Sequence, residues 1–315
     1  MDNTKEFKHI SLCTGYGGID LGLKRVIRGL RTIAYSEIEG YAVANLVSKI
    51  EAGHLDAAPI WTDLKTFPYA DFYKKVDIIS GGFPCQPFSQ AGRKDGDSDP
   101  RHLWPYIKRG IELARPAIVF LENVQGILSA KLRGTHWEDE EGTPVLLHIF
   151  RQLERVGYKP TAGIFSACEV GAPHQRKRVF ILAISNKLTR EGYDKINSLI
   201  KPYEAQTPYP APRGCEQYSW EASRVVAHTI CKRRQGEITR GHSSEQKLKC
   251  NPQEKTKSTV GGAANGVACG VGTSDMLTSF DNRTDELALL GNGVIPEVAQ
   301  KAFFKLWQKL GNPYE

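Results

Sequence analysis

The chain has 315 residues, 40% of them apolar and 24% charged, a composition that supplies the core of one large domain or two smaller ones. No stretch approaches the ~18 uninterrupted apolar residues of a membrane span, and the first ten, MDNTKEFKHI, carry charges and no apolar run, so neither an anchor nor a signal peptide is expected. Seven cysteines, an odd number with no C-x-x-C pair, argue against a disulfide framework or zinc ribbon and fit a cytoplasmic protein without metal, and the net charge of +7 suggests a polyanion partner.

Residues 9–13 read as a short strand. It runs into Ser11-Leu-Cys-Thr-Gly-Tyr-Gly-Gly-Ile-Asp-Leu-Gly-Leu23, where Gly15, Gly17 and Gly18 permit a tight turn and close approach of a ligand. Ile19, Leu23, Val26, Ile27 and Leu30 then recur at helical spacing. Residues 32–35 are a second strand, and residues 41–50 a helix. Glu37 lies at the end of that strand, about 20 residues after the glycines, where a carboxylate could bind a ribose hydroxyl. Glycine turns are common in α/β folds, so this motif alone is a weak sign of a nucleoside cofactor.

Residues 76–80 form the next strand. Gly81-Gly-Phe-Pro-Cys-Gln-Pro-Phe-Ser89 follows directly. Pro84 and Pro87 stiffen the loop around Cys85, which suits a positioned nucleophile at the carboxyl edge of a sheet; the plain alternative is a buried small hydrophobe. Residues 117–121 are another strand, ending in Leu121-Glu122-Asn123-Val124. Burial of Glu122 would raise its pKa; alternatively Asn123 caps a helix and Glu122 is exposed. Val145, Leu146, Ile149, Leu153 and Val156 mark a helix that Gly157 closes. In Ala172-Pro-His-Gln-Arg-Lys-Arg-Val-Phe-Ile181, Arg176 and Arg178 flank a strand over 178–184. By alternation they project to one side, either to hold an anion or as a basic strand edge.

This β-α alternation predicts an α/β fold, a doubly wound and mostly parallel sheet. Residues 1–185 are its body. Residues 186–285 change character: apolar periodicity weakens, and Pro- and Gly-rich stretches appear. Over 186–260 there are 14 Lys or Arg against 8 Asp or Glu. The segment is expected to be a basic insert, either meeting a polyanion or merely solvated. Regular patterning returns over 286–315. There Gly291-Asn292-Gly293 is a turn, and Val298, Ala302, Phe303, Leu306 and Leu310 share one face of a helix that completes the first domain.

Each motif is ambiguous, but their order and combination resemble those of the bacterial and phage-type DNA cytosine carbon-5 methyltransferases, over about residues 8–185 and 284–308. Pro84-Cys85 resembles that family's nucleophile loop, Glu122-Asn123-Val124 its Glu-Asn-Val motif, Arg176-Lys177-Arg178 its Arg-x-Arg strand, and Gly291-Asn292 its closing turn. The resemblance implies a Rossmann-like methyltransferase domain and S-adenosylmethionine as cofactor. The substrate would be duplex DNA, its target base flipped out. Cys85 would supply the thiolate and Glu122 the proton for ring nitrogen 3. Arg178 would steady the base and Arg176 the loop. The donor site would take in Cys13, Gly15, Tyr16, Gly17, Gly18, Glu37, Ile38, Asp63, Leu64, Gly82, Pro84, Asn292 and Gly293. Gln86, Ser89, Lys232, Arg233, Arg234 and Arg240 would meet DNA. A monomer is expected.

Three departures stand out. Cys13 occupies the family's usual Phe position, Gly293 replaces the usual Ser, and residues 280–290 lack the family's Arg-Leu-Thr and Arg-x-x-Gln-x-Phe-Pro elements. An RNA enzyme of the same chemistry, a catalytically dead DNA-binding regulator and a small-molecule methyltransferase remain as rivals. The intact Cys85, Glu122, Arg178 and Asn292 weigh against the second, and the basic insert against the third. The sequence does not specify a recognition site.

Overall fold

The structure is a computed structural model that describes residues 6–84, 103–132, 138–172, 174–203, 289, 291–312 and 314. Its centre is a seven-stranded sheet. β1 (Phe7–Leu12), β2 (Leu30–Ser36), β3 (Ile60–Trp61), β4 (Ile78–Gly82) and β5 (Ile118–Val124) are parallel, while β7 (Arg178–Ser185) runs antiparallel to both β5 and β6 (Tyr158–Phe165). The order is β3-β2-β1-β4-β5-β7-β6. The direction of winding reverses between β1 and β4, and in open α/β sheets the crevice outside the carboxyl ends at such a point receives the ligand. The glycine turn leaves β1 there, and the Pro84-Cys85 loop leaves β4.

Helices cover both faces. On one, Leu23 and Val26 of α1 (Gly18–Val26) and Val298, Ala302, Phe303 and Leu306 of α6 (Pro296–Leu310) pack on Ile78, Ile118, Phe120, Phe180 and Leu182. On the other, Ile107 and Ile111 of α3 (Trp104–Ala114) and Ile149 and Leu153 of α4 (Val145–Arg155) pack on Ile79, Val119, Leu121, Val179 and Ile181. Alternate strand residues thus enter opposite cores, as the pleat requires, and each large apolar side chain withdrawn from water contributes about 1.5–3 kcal/mol. α2 (Gly40–Glu51) carries Leu46 into a smaller cluster with Tyr35 and Leu55.

The expected strands form within a few residues of their predicted bounds, and Gly157 closes α4 with φ +92°. Four of the named elements escaped the periodicity, α3 among them. β6 contains Pro160 and Gly163, both poor strand formers; the edge of the sheet tolerates them. β3 has only two residues. α5 (Arg190–Leu199) lies within the compositionally basic stretch, yet it buries Tyr193 and Ile196 in the α1/α6 core. Backbone bonds from Arg28 N to Leu199 O (2.9 Å) and from Lys201 N to Val26 O (2.8 Å) fasten it to the end of α1. Residues up to 203 therefore pack against α1 and α6, as the Tyr193–Trp307 and Tyr203–Phe304 ring contacts also show.

α1 and α6 touch closely because α1 presents glycine to α6. A Cβ at Gly22 would stand 2.5 Å from Pro296 O and 2.7 Å from Ala299 Cβ, and one at Gly18 would overlap Val294 O. Among the described residues no helix is long and apolar enough to cross a membrane, and no cluster of His, Cys, Asp and Glu could hold a metal ion.

Candidate active site

β5 runs three residues past its apolar stretch, so Glu122 is a strand residue paired with Gly82 of β4 and Phe180 of β7. The alternative of an exposed Glu122 beside an Asn123 helix cap is overturned. Glu122 is 6% exposed and Asn123 2%. Gly82 leaves room for the carboxylate, since a Cβ there would lie 3.1 Å from Glu122 Oε2. Arg178 Nε lies 3.0 Å from Glu122 Oε1, but that oxygen has no directed hydrogen bond. Burial pushes the carboxyl up to about 7, outweighing the downward pull of Arg178 and Arg176. The site therefore contains a carboxyl poised to hold or release a proton near neutrality, its Oε1 ion-paired with Arg178 but without a hydrogen bond among the described residues.

Asn123 does a different job. Its Nδ2 donates to Phe83 O (3.0 Å), and its Oδ1 accepts from Val124 N (2.9 Å). The Glu-Asn-Val strand thereby grips the backbone immediately before Pro84, the root of the loop. Cys85, Gln86 and Ser89 lie outside the described residues.

The two arginines do not project together, as strand alternation led one to expect. Arg176 precedes β7 and has φ +32°, so the pleat does not govern it. Its Nη2 donates to Gly291 O (2.7 Å) and to Gly293 O, tying the strand entrance to the segment before α6. Arg178, the first residue of β7, takes Glu122 instead. Burial and the neighbouring Arg178 lower the Arg176 pKa.

On the donor side, Thr14 N donates to Ser36 O (3.1 Å), holding the glycine turn to the end of β2. Glu37 Oε2 accepts from Gly15 N (2.7 Å) and Oε1 from Glu39 N (3.0 Å). Each carboxylate oxygen retains acceptor capacity for a hydroxyl. Gly15 has φ +57° and open space where a Cβ would stand; Gly17, the N-cap of α1 at φ +84°, faces Leu55 Cδ1 at 3.0 Å from such a Cβ. Ile38 is 71% exposed beside Glu37. Asp63 accepts from Lys65 N (2.9 Å), capping a short 3-10 turn that buries Leu64. Open backbone at Gly15, a carboxylate at Glu37 and an exposed aliphatic face at Ile38 fit the ribose and base of a nucleoside cofactor. Cys13, with φ +49°, ends β1; burial, aided by Glu37, pushes its thiol up to about 12, so it stays an unreactive thiol.

Beneath the turn runs a polar strip that sequence reading missed. His9 joins Thr32 Oγ1 (2.9 Å) and Ser80 Oγ (2.7 Å), and Ser11 donates to Asp20 Oδ2 (2.9 Å). Burial drives His9 down to about 3 and Asp20 up to about 6, so His9 is neutral and its role is to link β2, β1 and β4. Lys49 was missed as well. It follows Ala42 and Leu46 on the buried face of α2, and a lysine at that helical position was the available signal. Its Nζ donates to Tyr16 O (2.5 Å) and Asn45 Oδ1 (2.8 Å). The turn expected at Gly291-Asn292-Gly293 is instead the end of a helix: Leu289, Gly291 and Asn292 are helical and Gly293 N donates to Leu289 O (2.9 Å), with Asn292 exposed and Gly293 buried. Lys232, Arg233, Arg234 and Arg240 lie outside the described residues.

The family model described as C-5 cytosine-specific DNA methylase matches residues 7–268. Among curated relatives, the Type II methyltransferase M.NgoMIV of Neisseria gonorrhoeae is 32% identical over 184 residues, covering 58% of this chain and 54% of that protein. M.NlaX of Neisseria lactamica is 35% identical over 181 residues, covering 57% and 53%. The chain thus spans about half the length of these relatives. A crystal structure of a DNMT2 variant from Spodoptera frugiperda aligns at 22% identity with a TM-score of 0.45, covering 58% of this chain and 51% of that one.

Proposed function

Since this chain belongs to the family of C-5 cytosine-specific DNA methylases, we propose that it transfers a methyl group from S-adenosylmethionine to carbon 5 of cytosine in duplex DNA, using Cys85 as a covalent nucleophile. The observation that carries this reading is the buried Glu122 carboxyl, pushed up to about 7, on the strand whose next residue grips the root of the Cys85 loop.

Carbon 5 of cytosine is a poor nucleophile. A Cys85 thiolate that bonds to carbon 6 makes the ring enamine-like, and the proton held by Glu122 passes to ring nitrogen 3 as charge develops there. Arg178, against Glu122, offers donors to the ring carbonyl oxygen. S-adenosylmethionine, when bound, supplies an electrophilic methyl group. A base, for which water suffices, then takes the carbon-5 proton; the bond between carbon 6 and Cys85 Sγ breaks, its electron pair returning to sulfur as thiolate, and Glu122 recovers its proton from nitrogen 3. A cytosine stacked in a duplex cannot reach these groups, so the base is flipped, at a cost of a few kcal/mol. Contacts from the basic segment offset that cost.

Bisulfite sequencing of DNA from cells expressing the chain tests the reading, with structured RNA assayed in parallel. Protected cytosines in a defined context are expected, and none with Cys85→Ser. DNA carrying 5-fluorocytosine should crosslink to wild type and not to Cys85→Ser, because fluorine blocks release of the thiolate. Undiminished methylation by Cys85→Ser sinks the assignment.

A further inference from the structure

Tyr16 stands between Gly15 and Gly17, and its side chain enters the core cluster that holds Val294. It is 2% exposed. Its hydroxyl donates to Val294 O, across almost the whole length of the chain. Its ring fills the space beside Gly293, where any Cβ would overlap ring carbons Cε1 and Cδ1. Gly18 is cleared for the same junction, because a Cβ there would lie 2.9 Å from the Tyr16 hydroxyl oxygen. From α2, Lys49 Nζ holds the Tyr16 carbonyl at 2.5 Å and sits 4.7 Å from the ring centroid. On the far side of the junction, Arg176 holds the carbonyls of Gly291 and Gly293, and Arg178, two residues on, meets Glu122.

We propose that Tyr16 is a positioning residue that locks the Gly291–Val294 segment, where one helix ends and the link to α6 begins, onto the glycine turn and, through Arg176 at the entrance to β7, sets the methyl-donor edge against the Glu122 carboxyl; Gly293 is there to admit its ring. What the two edges hold rests on the methyltransferase reading. The glycine at 293 and the tyrosine at 16 form one unit: serine at 293 requires a smaller residue at 16. Burial pushes the Tyr16 hydroxyl well above its ordinary pKa, so it remains a donor throughout the working range.

A double-mutant cycle on the full chain tests this, using Tyr16→Leu, Gly293→Ser, their combination, and Tyr16→Phe, which removes only the hydroxyl. The readouts are calorimetric affinity for S-adenosylhomocysteine, kcat and KM for a methylatable DNA, and Tm. Gly293→Ser alone should weaken S-adenosylhomocysteine by about tenfold or more, and adding Tyr16→Leu should recover most of that loss, the non-additivity expected of residues in contact. Tyr16→Phe should lower kcat by about tenfold with KM for DNA little changed, since a small misplacement of reacting groups costs rate rather than substrate binding. Additive effects in the cycle, or a Tyr16→Phe kcat equal to that of wild type, overturn the positioning role. A wild-type chain that binds no S-adenosylhomocysteine overturns the methyl-donor reading, and the positioning role with it. Donor binding with additive variants overturns the positioning role alone.

Discussion

At the scale of single residues, the central fact is a carboxyl that burial keeps protonated up to about pH 7. Glu122→Gln should lower kcat by about 10²–10⁴-fold, the usual contribution of a positioned acid, and should lack the alkaline limb near pH 7 expected of wild type. The pH dependence of folding has a definite sign. The folded chain keeps a proton that the unfolded one releases from pH 4.5 upward, so Glu122 contributes stability that is full below 4.5 and lost as pH rises through about 7. Urea titrations at several pH values should therefore show the stability of wild type relative to Glu122→Gln declining across that window; a constant difference would place Glu122 in contact with water. The glycines of the turn also divide their labour. A Val at position 17 would suffer from φ +84° and from Leu55, a fault in folding more than in donor binding. Gly15 is the one with open space before it, so Gly15→Val should block S-adenosylhomocysteine, read by calorimetry, with a strain of only about 1–2 kcal/mol from its left-handed backbone.

At the scale of elements, two contacts govern the geometry. The first is the grip of β5 on the root of the Cys85 loop. Asn123→Ala removes the Nδ2 bond to Phe83 O and should cost about 1–3 kcal/mol of stability through the unpaired buried carbonyl. Its larger effect should be slower covalent trapping by 5-fluorocytosine DNA, with S-adenosylhomocysteine affinity unchanged; unchanged trapping would show that the loop is held elsewhere. The second is the glycine-backed contact of α1 with α6. Gly22→Leu would drive a side chain into Pro296 O and Ala299 Cβ and should destabilise the fold by roughly 1–3 kcal/mol, measured by urea unfolding.

At the scale of the whole molecule, the charge between residues 186 and 260 is expected to serve DNA recognition. Deleting residues 232–260 should lower the salt slope of DNA binding by about one for each phosphate that is no longer neutralised, and should abolish site preference if bases are read there. Methylation of the same sites with the same salt dependence would place recognition in the loops of the sheet domain. The deletion spares α5, whose Tyr193 and Ile196 belong to the main core.

Much of this protein is written locally. The short β-rich runs, the helical spacing of Ile19, Leu23 and Val26, and the turn glycines are properties of neighbouring residues, so strands β1, β2, β4, β5 and β7 and the doubly wound class were legible from the sequence. The candidate site residues were picked out from the sequence because the proposed nucleophile loop and the glycine turn each follow directly on a strand, and Glu122 stands at the end of an apolar run that the structure extends as β5. What the sequence could not decide depends on residues far apart in the chain. The protonation of Glu122 comes from burial among β4, β5 and β7. The divergence of Arg176 from Arg178 comes from a segment 115 residues away. The edge strand β6 exists because β7 offers it a partner, against its own propensities. The reason for Gly293 is the ring of Tyr16, which only folding brings to it. Periodicity records which face of an element is apolar; desolvation and steric exclusion are set by what finally packs against it, and that is fixed only in three dimensions.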